Sequence, residues 1–408
     1  MLAGCRSGQQ YTSKPAKAGE DENIVVNAEV YHLNDSSSTV YVEIENDNLL
    51  YKRPDTAGVF YAHLKVVTHL MLEGNVRKIL DSSSVQIFDR AGAEQVPLKS
   101  LYSEFSVAAR FGNNYLLSIE VFDLNRRSRY RKDVNVYKAS RLTSQNFLVF
   151  RNDSVSFGNT FLRNEALRIL YADKSVNRLS VECFLREFGP ALPPFSTKQS
   201  DPLKYKPDSI FELKADEERF RLTMPERGFY HLKAEPVLLQ GLTLFTYDES
   251  FPGVSDNEEM IHCARYIMSR EEYERCLNSP DKKKAIDDFW LGLGGSVERA
   301  RELLRRYYNR VKVANRQYSS YAEGWKSDRG MIYIVFGQPV NIYKSRKDEV
   351  WVYGNESNPA TLRFVFNKTE NPFTDNDYMM ERSQFYKEPW HSAVDFWRQG
   401  HVYSNRRR

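Results

Sequence analysis

The sequence predicts a multidomain, mainly β protein, with two immunoglobulin-like β-sandwich domains followed by a C-terminal α/β domain. Three observations lead there. At 408 residues the chain is too long for one ordinary core. It holds 25 tyrosines and 24 phenylalanines, residue types that favour strands. Its apolar pattern also changes period near Phe251, from the alternation of half-buried strands to the spacing of amphipathic helices. A hydrophobic share of 41% and a charged share of 27% are those of a folded globular chain. A net charge of +4 spread over this length argues against a dedicated nucleic-acid binder. No apolar run approaches the ~20 residues of a membrane-spanning helix. The best candidates, Val66–Leu72 and Tyr115–Phe122, are broken by polar residues and read as strands.

Residues 1–23 read as a lipid-attachment signal and a flexible tether. Leu2, Ala3, Gly4 and Cys5 resemble a bacterial lipobox, a targeting signal to be recognised before any fold reasoning. The basic and apolar regions that precede such a signal do not stand before Leu2, so a start upstream of Met1 is expected. Arg6 to Asn23 is rich in Ser, Gly, Gln, Lys and Glu. Such a segment cannot bury enough apolar surface to order itself, and it suits a linker lifting a domain off a bilayer. The lipobox resemblance implies a diacylglyceryl and an N-acyl chain on Cys5, and two chains hold a protein stably where one does not. Arg6 and Ser7, rather than aspartate, follow Cys5, which resembles the sorting pattern for the outer membrane. No acidic cluster comes after them, so a periplasm-facing position is expected.

Residues 24–142 predict the first sandwich. Val40 to Glu45 alternates apolar and polar, Val59–Leu72 is a long strand or a bulged pair, and Tyr115–Leu124 is another strand. Turn clusters at Asn34-Asp35-Ser36, Asp81-Ser82-Ser83 and Gly112-Asn113-Asn114 separate them. Strands at short regular spacing with turn signals between them are the mark of a sandwich. Residues 143–250 predict a second, smaller one, with strands at Arg168–Tyr171, Leu179–Leu185, Ser209–Leu213 and Gly228–Lys233. Pro190–Pro207 is expected to form a long irregular loop across its surface.

Residues 251–408 begin helical. Glu258–Asn278 predicts one helix; Ser279 and Pro280 stop it and start a second at Asp281–Trp290. Gly292 to Gly295 breaks that helix, and Ser296 can cap a third. On the third, Val297, Ala300, Leu304, Tyr307, Tyr308, Val311 and Ala314 fall within one face ~120° wide, the width of a core-facing stripe. Arg301, Arg305, Lys312 and Arg316 line a separate edge, read as a solvated flank rather than an anion site. The four cysteines, Cys5, Cys183, Cys263 and Cys276, show no CxxC and no metal-ligand spacing with histidine. On one unbroken helix Cys263 and Cys276 would stand ~20 Å apart, beyond disulfide reach. Free thiols, or one pairing with Cys183, both stay open. No metal and no cofactor is expected.

The helical section closes on Gly324, Trp325, Lys326, Ser327, Asp328, Arg329 and Gly330, followed by Met331–Phe336 and then Gly337, Gln338 and Pro339. This reads as a helix-to-strand corner. Gly324 lets the chain turn where a Cβ would clash. Trp325 is a large apolar plug whose indole N–H needs an acceptor. Ser327 and Asp328 can bond backbone N–H groups of the turn, and Arg329 can satisfy carbonyls or a carboxylate. Gly330 ends the turn. Met331–Phe336, apolar on both faces, predicts a central strand covered on both sides, and Gly337 and Pro339 turn the chain out of it. The spacing of these residues resembles the signature of the GWxTD-domain family of bacterial, Bacteroidetes-type envelope lipoproteins. Asp288-Phe289-Trp290 upstream and Asp348–Tyr353 downstream are similar to that family's general layout, so the resemblance covers roughly Glu258 to Arg382. Ser327 stands where the family usually has threonine; both offer a hydroxyl, so a local cap is kept. The resemblance implies an architecture and no particular chemistry.

Ser327, Asp328 and Arg329 are the polar candidates for catalysis at this corner, yet no histidine lies within the motif. His391 and His401 are distant in sequence, and a Ser–His–Asp arrangement would need folding to bring one close. There is no GxSxG elbow, HExxH, phosphate-binding glycine loop or calcium loop. The motif is therefore read as structural and no catalytic residue is assigned. A second feature is Arg127, Arg129 and Arg131, which on a strand face one way with Ser128 and Tyr130 opposite. They form either a comb that grips lipid phosphates or an acidic partner, or an edge strand charged against aggregation. The expected function is an outer-membrane-anchored lipoprotein with a non-enzymatic binding or scaffold role in an envelope assembly or secretion complex. Its partners are envelope proteins and the membrane, with no nucleic acid and no small-molecule cofactor. The alternatives are a hydrolase acting on an envelope polymer through the C-terminal domain, and a glycan-binding protein.

Overall fold

The computed structural model describes residues 24–53, 59–92, 96–198, 205–358 and 361–403. The lipobox, its Cys5 and the tether lie outside the described residues. Two compact units divide the rest: residues up to Leu185 together with 207–246, and the remainder, which includes 186–198 and everything from Tyr247 onward.

The first unit opens with seven strands: β1 (Val26–Tyr31), β2 (Ser38–Glu45), β3 (Phe60–Leu72), β4 (Asn75–Ala91), β5 (Ser100–Val107), β6 (Asn114–Asp123) and β7 (Ser128–Tyr137). They pair antiparallel into two sheets, ordered β1-β2-β5 and β4-β3-β6-β7. Strict alternation selects the shared core: Val40, Val42 and Ile44 of one sheet meet Leu64, Val66, Leu117, Ile119 and Val121 of the other, all fully buried. Tyr115, at the start of β6, returns its hydroxyl to the backbone N–H and C=O of Arg110, both at 2.9 Å, a device of immunoglobulin-like sandwiches. Asp81, Ser82 and Ser83 do not form a turn. They sit inside β4, opposite Leu70, His69 and Thr68. The hairpin turn is at Gly74, whose φ of +86° supplies the left-handed step.

Nine short strands follow: β8 (Phe147–Arg151), β9 (Ser154–Val155), β10 (Thr160–Phe161), β11 (Ala166–Tyr171), β12 (Arg178–Phe184), β13 (Ser209–Lys214), β14 (Arg219–Thr223), β15 (Gly228–Lys233) and β16 (Leu242–Thr246). Their sheets, β10-β16-β15-β12-β13 and β14-β11-β8-β9, close on Ile169, Val181, Phe220, Leu232 and Leu244. The four strands expected from the sequence are β11, β12, β13 and β15.

The second unit is helical and then β. Its helices are α1 (Asn257–Ala264), α2 (Arg270–Leu277), α3 (Lys282–Gly294), α4 (Val297–Tyr318), α5 (Asp328–Phe336) and α6 (Lys387–Arg398). An antiparallel sheet stands between α5 and α6 in sequence: β17 (Asn341–Lys344), β18 (Asp348–Tyr353), β19 (Leu362–Lys368) and β20 (Tyr378–Met380), paired in that order. Side-chain caps start five helices in succession, from Asp256, Ser269, Asp281, Ser296 and Ser327. Ser269 explains why Glu258–Asn278 is two helices and not one. It forms a capping box with Glu272 and so begins α2 afresh. Helix α3 runs through Gly292 and ends only at Gly295. The inner face of α4 is Ala300, Leu303, Tyr307, Val311, Ala314 and Tyr318, with Leu303 taking the place expected for Leu304 and Val297 left exposed. Arg301, Arg305, Lys312 and Arg316 are exposed. Cys183, Cys263 and Cys276 are buried free thiols.

One expectation at the motif fails outright. Met331–Phe336 is not a strand but most of α5, and all nine residues of that helix are buried. A short run that is apolar on every side fits a covered strand and a covered helix equally well by periodicity. Ser327 decides between them by capping the first turn.

Candidate functional site

The motif forms a corner between the end of α4 and the start of α5, with Gly324–Lys326 as a single 3-10 turn. Backbone contact sets its two internal glycines. A Cβ on Gly324 would stand 1.9 Å from the Ala314 carbonyl oxygen of α4, and one on Gly330 would stand 1.8 Å from the Gly324 carbonyl oxygen. Helix, turn and helix are thus stacked backbone on backbone, which no side chain permits. Asn315 clamps the arrangement: its Oδ1 accepts from Trp325 N at 3.0 Å and its Nδ2 donates to Pro252 O at 3.0 Å. Ser319 Oγ donates to Asn315 O and accepts from Gly324 N.

Trp325 is 2% exposed and fills the core beside Tyr266, whose hydroxyl donates to the Trp325 carbonyl at 2.8 Å. Its indole N–H has no hydrogen-bond partner among the described residues, contrary to the acceptor expected for it. Ser327 Oγ accepts from Gly330 N at 3.0 Å and donates to Gly324 O at 2.7 Å, so its proton is committed to a carbonyl. Asp328 is buried; it accepts from Met380 N at 2.8 Å and is ion-paired with Arg382. Burial pushes the Asp328 carboxyl up, while Arg382 and the Met380 N–H pull it down.

Arg329 is also buried, and its guanidinium lies between the rings of Tyr378, at 4.0 Å, and Tyr318, at 5.2 Å. It donates to Asn376 O at 2.9 Å and reaches Glu349 at 3.4 Å. Burial would raise the Glu349 carboxyl, but Lys344 and Arg329 outweigh it and hold the group below the ordinary range. Gly337 ends α5 with a φ of +79°, its carbonyl taken by the Tyr353 hydroxyl at 2.7 Å. Pro339 follows in the turn towards β17. The last carbonyls of the helix are met by Arg310, which donates to Ile334 O and Val335 O, and by the Trp397 indole.

The motif therefore draws together Asp328, Arg329, Glu349, Arg382 and the nearby Asp377, whose carboxyl burial raises to about 6 against a hydrogen bond from Asn371. The histidines do not join them. His391 lies against Phe195 and His401 against Phe396, and no described histidine hydrogen-bonds to Ser327 or Asp328. Sequence reasoning misses Arg382, Glu349, Asn315, Asn376 and Arg310, which come from other elements with no spacing signal linking them to the motif. The segment after β12 also belongs here: Ala191 N donates to Lys326 O at 2.8 Å, and Leu192 O accepts from Arg382. Residues 190–198 of the Pro-rich stretch are thus a strap on this corner, grouped with the second unit rather than with the second sandwich.

The comb of arginines is only partly assembled. Arg127 lies in the turn before β7 with φ +61°. Arg129 and Arg131 share the exposed face of β7, the former paired with Glu120 and the latter with Asp133 at 2.8 Å. Among the described residues no group of three or more His, Cys, Asp or Glu is placed to hold a metal ion.

The arrangement is that of a helical domain with an antiparallel sheet, locked by a buried glycine–tryptophan–aspartate corner. The family model of the GWxTD domain matches residues 228–399, and the chain carries a GWxTD domain there. The match extends beyond Glu258–Arg382 at both ends. No curated protein matches the chain. Solved structures with partial likeness include a β-glucuronidase from Bacteroides uniformis, at 12% identity and TM-score 0.19 over 27% of this chain and 12% of that one. A β-glucuronidase of glycoside hydrolase family 2 gives 11% and 0.20 over 27% and 11%. Bacteroides uniformis β-glucuronidase 2 covalently bound to cyclophellitol-6-carboxylate aziridine gives 9% and 0.19 over 34% and 15%. The chain thus spans no more than 15% of the length of these enzymes, and likeness at such TM-scores constrains neither fold nor activity.

Proposed function

We propose that this chain is a non-enzymatic interaction protein of the bacterial envelope. It is held at the periplasmic face of the outer membrane through lipid on Cys5, and it serves an assembly or secretion complex. Two immunoglobulin-like sandwiches act as the interaction modules, and the GWxTD motif maintains the fold of the second unit. A hydrolytic reading is disfavoured because the Ser327 hydroxyl, the Asp328 carboxylate and the Arg329 guanidinium are all engaged inside the corner.

The observation that carries the reading is β4. It is 17 residues long, stands at the end of its sheet, and pairs along one edge only among the described residues. Ile79, Leu80, Val85 and Phe88 are exposed along it, Phe88 at 62%. Sheet edges in monomeric proteins are usually short, charged or covered. A long one that exposes apolar side chains among its charges suits an extended segment of a partner protein added as a further strand, with backbone bonds giving affinity and alternate side chains giving selectivity.

The test is purification of the lipidated protein from detergent-solubilised membranes, as parent and with Ile79→Lys and Phe88→Asp combined. The expected result is an acylated Cys5 peptide in both and a defined envelope protein retained only by the parent. An unmodified Cys5 peptide, or equal retention by both forms, would overturn the proposal.

A further inference from the structure

The first unit holds an open cleft of about 610 Å³, built from the loops that join β1 to β2, β5 to β6, β7 to β8 and β11 to β12. Its volume is that of a site for a small ligand. At its base is Lys138, 2% exposed. The Lys138 ammonium donates to Ser37 O at 2.5 Å and to Ser38 Oγ at 2.8 Å. No carboxylate lies within hydrogen-bond distance of it among the described residues. The nearest acid, Asp35, is held in a two-bond ion pair by Arg141 at 2.7 and 2.8 Å.

A buried cation without an ion-pair partner is costly, and this one is held in place by its surroundings. His32 Nε2 faces the Tyr137 carbonyl at 3.0 Å and so must carry the proton, which leaves Nδ1 to accept from Ser38 Oγ at 3.0 Å. Ser38 then has only its lone pairs to offer Lys138. The relay from Lys138 through Ser38 and His32 to Tyr137 is fully directed, and it keeps His32 neutral: burial lowers the imidazole to about 4. The network cannot supply a negative charge from within. Around the cleft stand three cations, Lys138, Arg141 and Lys174, against two carboxylates, Asp35 and Asp173. Arg141 is also pinned over the ring of Phe111 at 4.4 Å, which leaves an apolar face beside the charge.

We infer that this cleft binds a small oxyanion ligand, a carboxylate or a phosphate, whose charge pairs with Lys138 at the base and whose body lies against Phe111 and Arg141. Glucuronate serves as the carboxylate probe, inorganic phosphate as the phosphate probe, and glucose as the uncharged control.

Titration calorimetry of the whole protein at low ionic strength is the experiment. Saturable binding of glucuronate, phosphate or both, with glucose at least tenfold weaker, is expected, and whichever anion binds names the source. Lys138→Met keeps an unbranched apolar stem, removes the ammonium, and should weaken the anion at least tenfold. The parent gives a second reading that needs no variant. Burial lowers the Lys138 ammonium to about 8, with Asp35 raising it and Arg141 lowering it, so affinity should fall as pH rises beyond that value. His32 is already neutral there, Arg141, Asp35 and Asp173 keep their charges, and Lys174 also lines the cleft. No saturable binding of either anion, equal binding of glucose, or anion affinity unchanged both by Lys138→Met and by alkaline pH would overturn the inference.

Discussion

Gly330→Ala puts a single methyl group where the structure has no room for one. Its carbon would lie 1.8 Å from the Gly324 carbonyl oxygen and 3.2 Å from Ser327 Oγ, whereas carbon and oxygen ordinarily stay about 3.3 Å apart. Helix α5 and the turn must therefore separate by about 1.5 Å. The turn cannot retreat, because Gly324 is itself pressed on the Ala314 carbonyl of α4. Withdrawal of α5 would instead pull Gly330 N from Ser327 Oγ and Asp328 from Met380 N. Overpacking of this kind costs ~1–3 kcal/mol and a lost cap adds ~1 kcal/mol. Alanine's better helix propensity returns ~1 kcal/mol. The expected loss is on the order of 1–3 kcal/mol, which for a unit of this size is a fall in melting temperature of roughly 2–12 °C. All five tryptophans, Trp290, Trp325, Trp351, Trp390 and Trp397, lie in the second unit, so tryptophan fluorescence reads its unfolding apart from the sandwiches. Gly292→Ala is the matched control. It lies within α3 with nothing inside 4 Å of the added carbon, and it should raise stability by ~0.5–1 kcal/mol. Co-melting of Gly330→Ala with the parent, or a fall in Gly292→Ala, would refute the reasoning.

Two further outcomes follow from the same corner. Trp325→Ala should cost ~3–5 kcal/mol, whereas Trp325→Phe keeps an aromatic ring and removes an unpartnered N–H, whose burial itself costs ~1–3 kcal/mol, so its net loss should stay within about 2 kcal/mol. Urea unfolding followed by near-ultraviolet circular dichroism compares them, and equal losses would mean that the indole N–H has a partner. Asp377 is the pH-dependent element. Its folded carboxyl is raised from 3.8 to about 6, so the stability it contributes is fully present below the unfolded value and is lost as pH rises through the folded one. Asp377→Asn should then stabilise the second unit at pH 7.5 by roughly 1–2 kcal/mol, after discounting about 1.4 kcal/mol per pH unit for partial exposure. The gain should shrink towards pH 4, and melting curves showing the same gain at both values would count against the assignment.

What the sequence determined by itself was local. Alternation in Val40–Glu45 and Tyr115–Leu124 is a property of neighbouring residues on a pleated chain, and β2 and β6 follow it. The cap at Ser296 and the helical stripe of α4 are equally local, as is the run of Gly324, Trp325, Ser327, Asp328 and Gly330 that marks the family.

What only the tertiary structure decided was everything that depends on which surfaces meet. Met331–Phe336 is apolar all round, and an apolar run says that it is covered without saying in which conformation. The turn expected at Asp81–Ser83 became the middle of β4 because pairing with Leu70, His69 and Thr68 satisfies a polar backbone as well as a turn does. Arg382, Glu349 and Asn376 reach the motif from later elements, and Leu192 from a strap earlier in the chain. Burial of Asp328 and Arg329 required partners from outside the motif, because a charge taken out of water must be met by whatever the fold brings beside it. Distance along the chain carries no record of that.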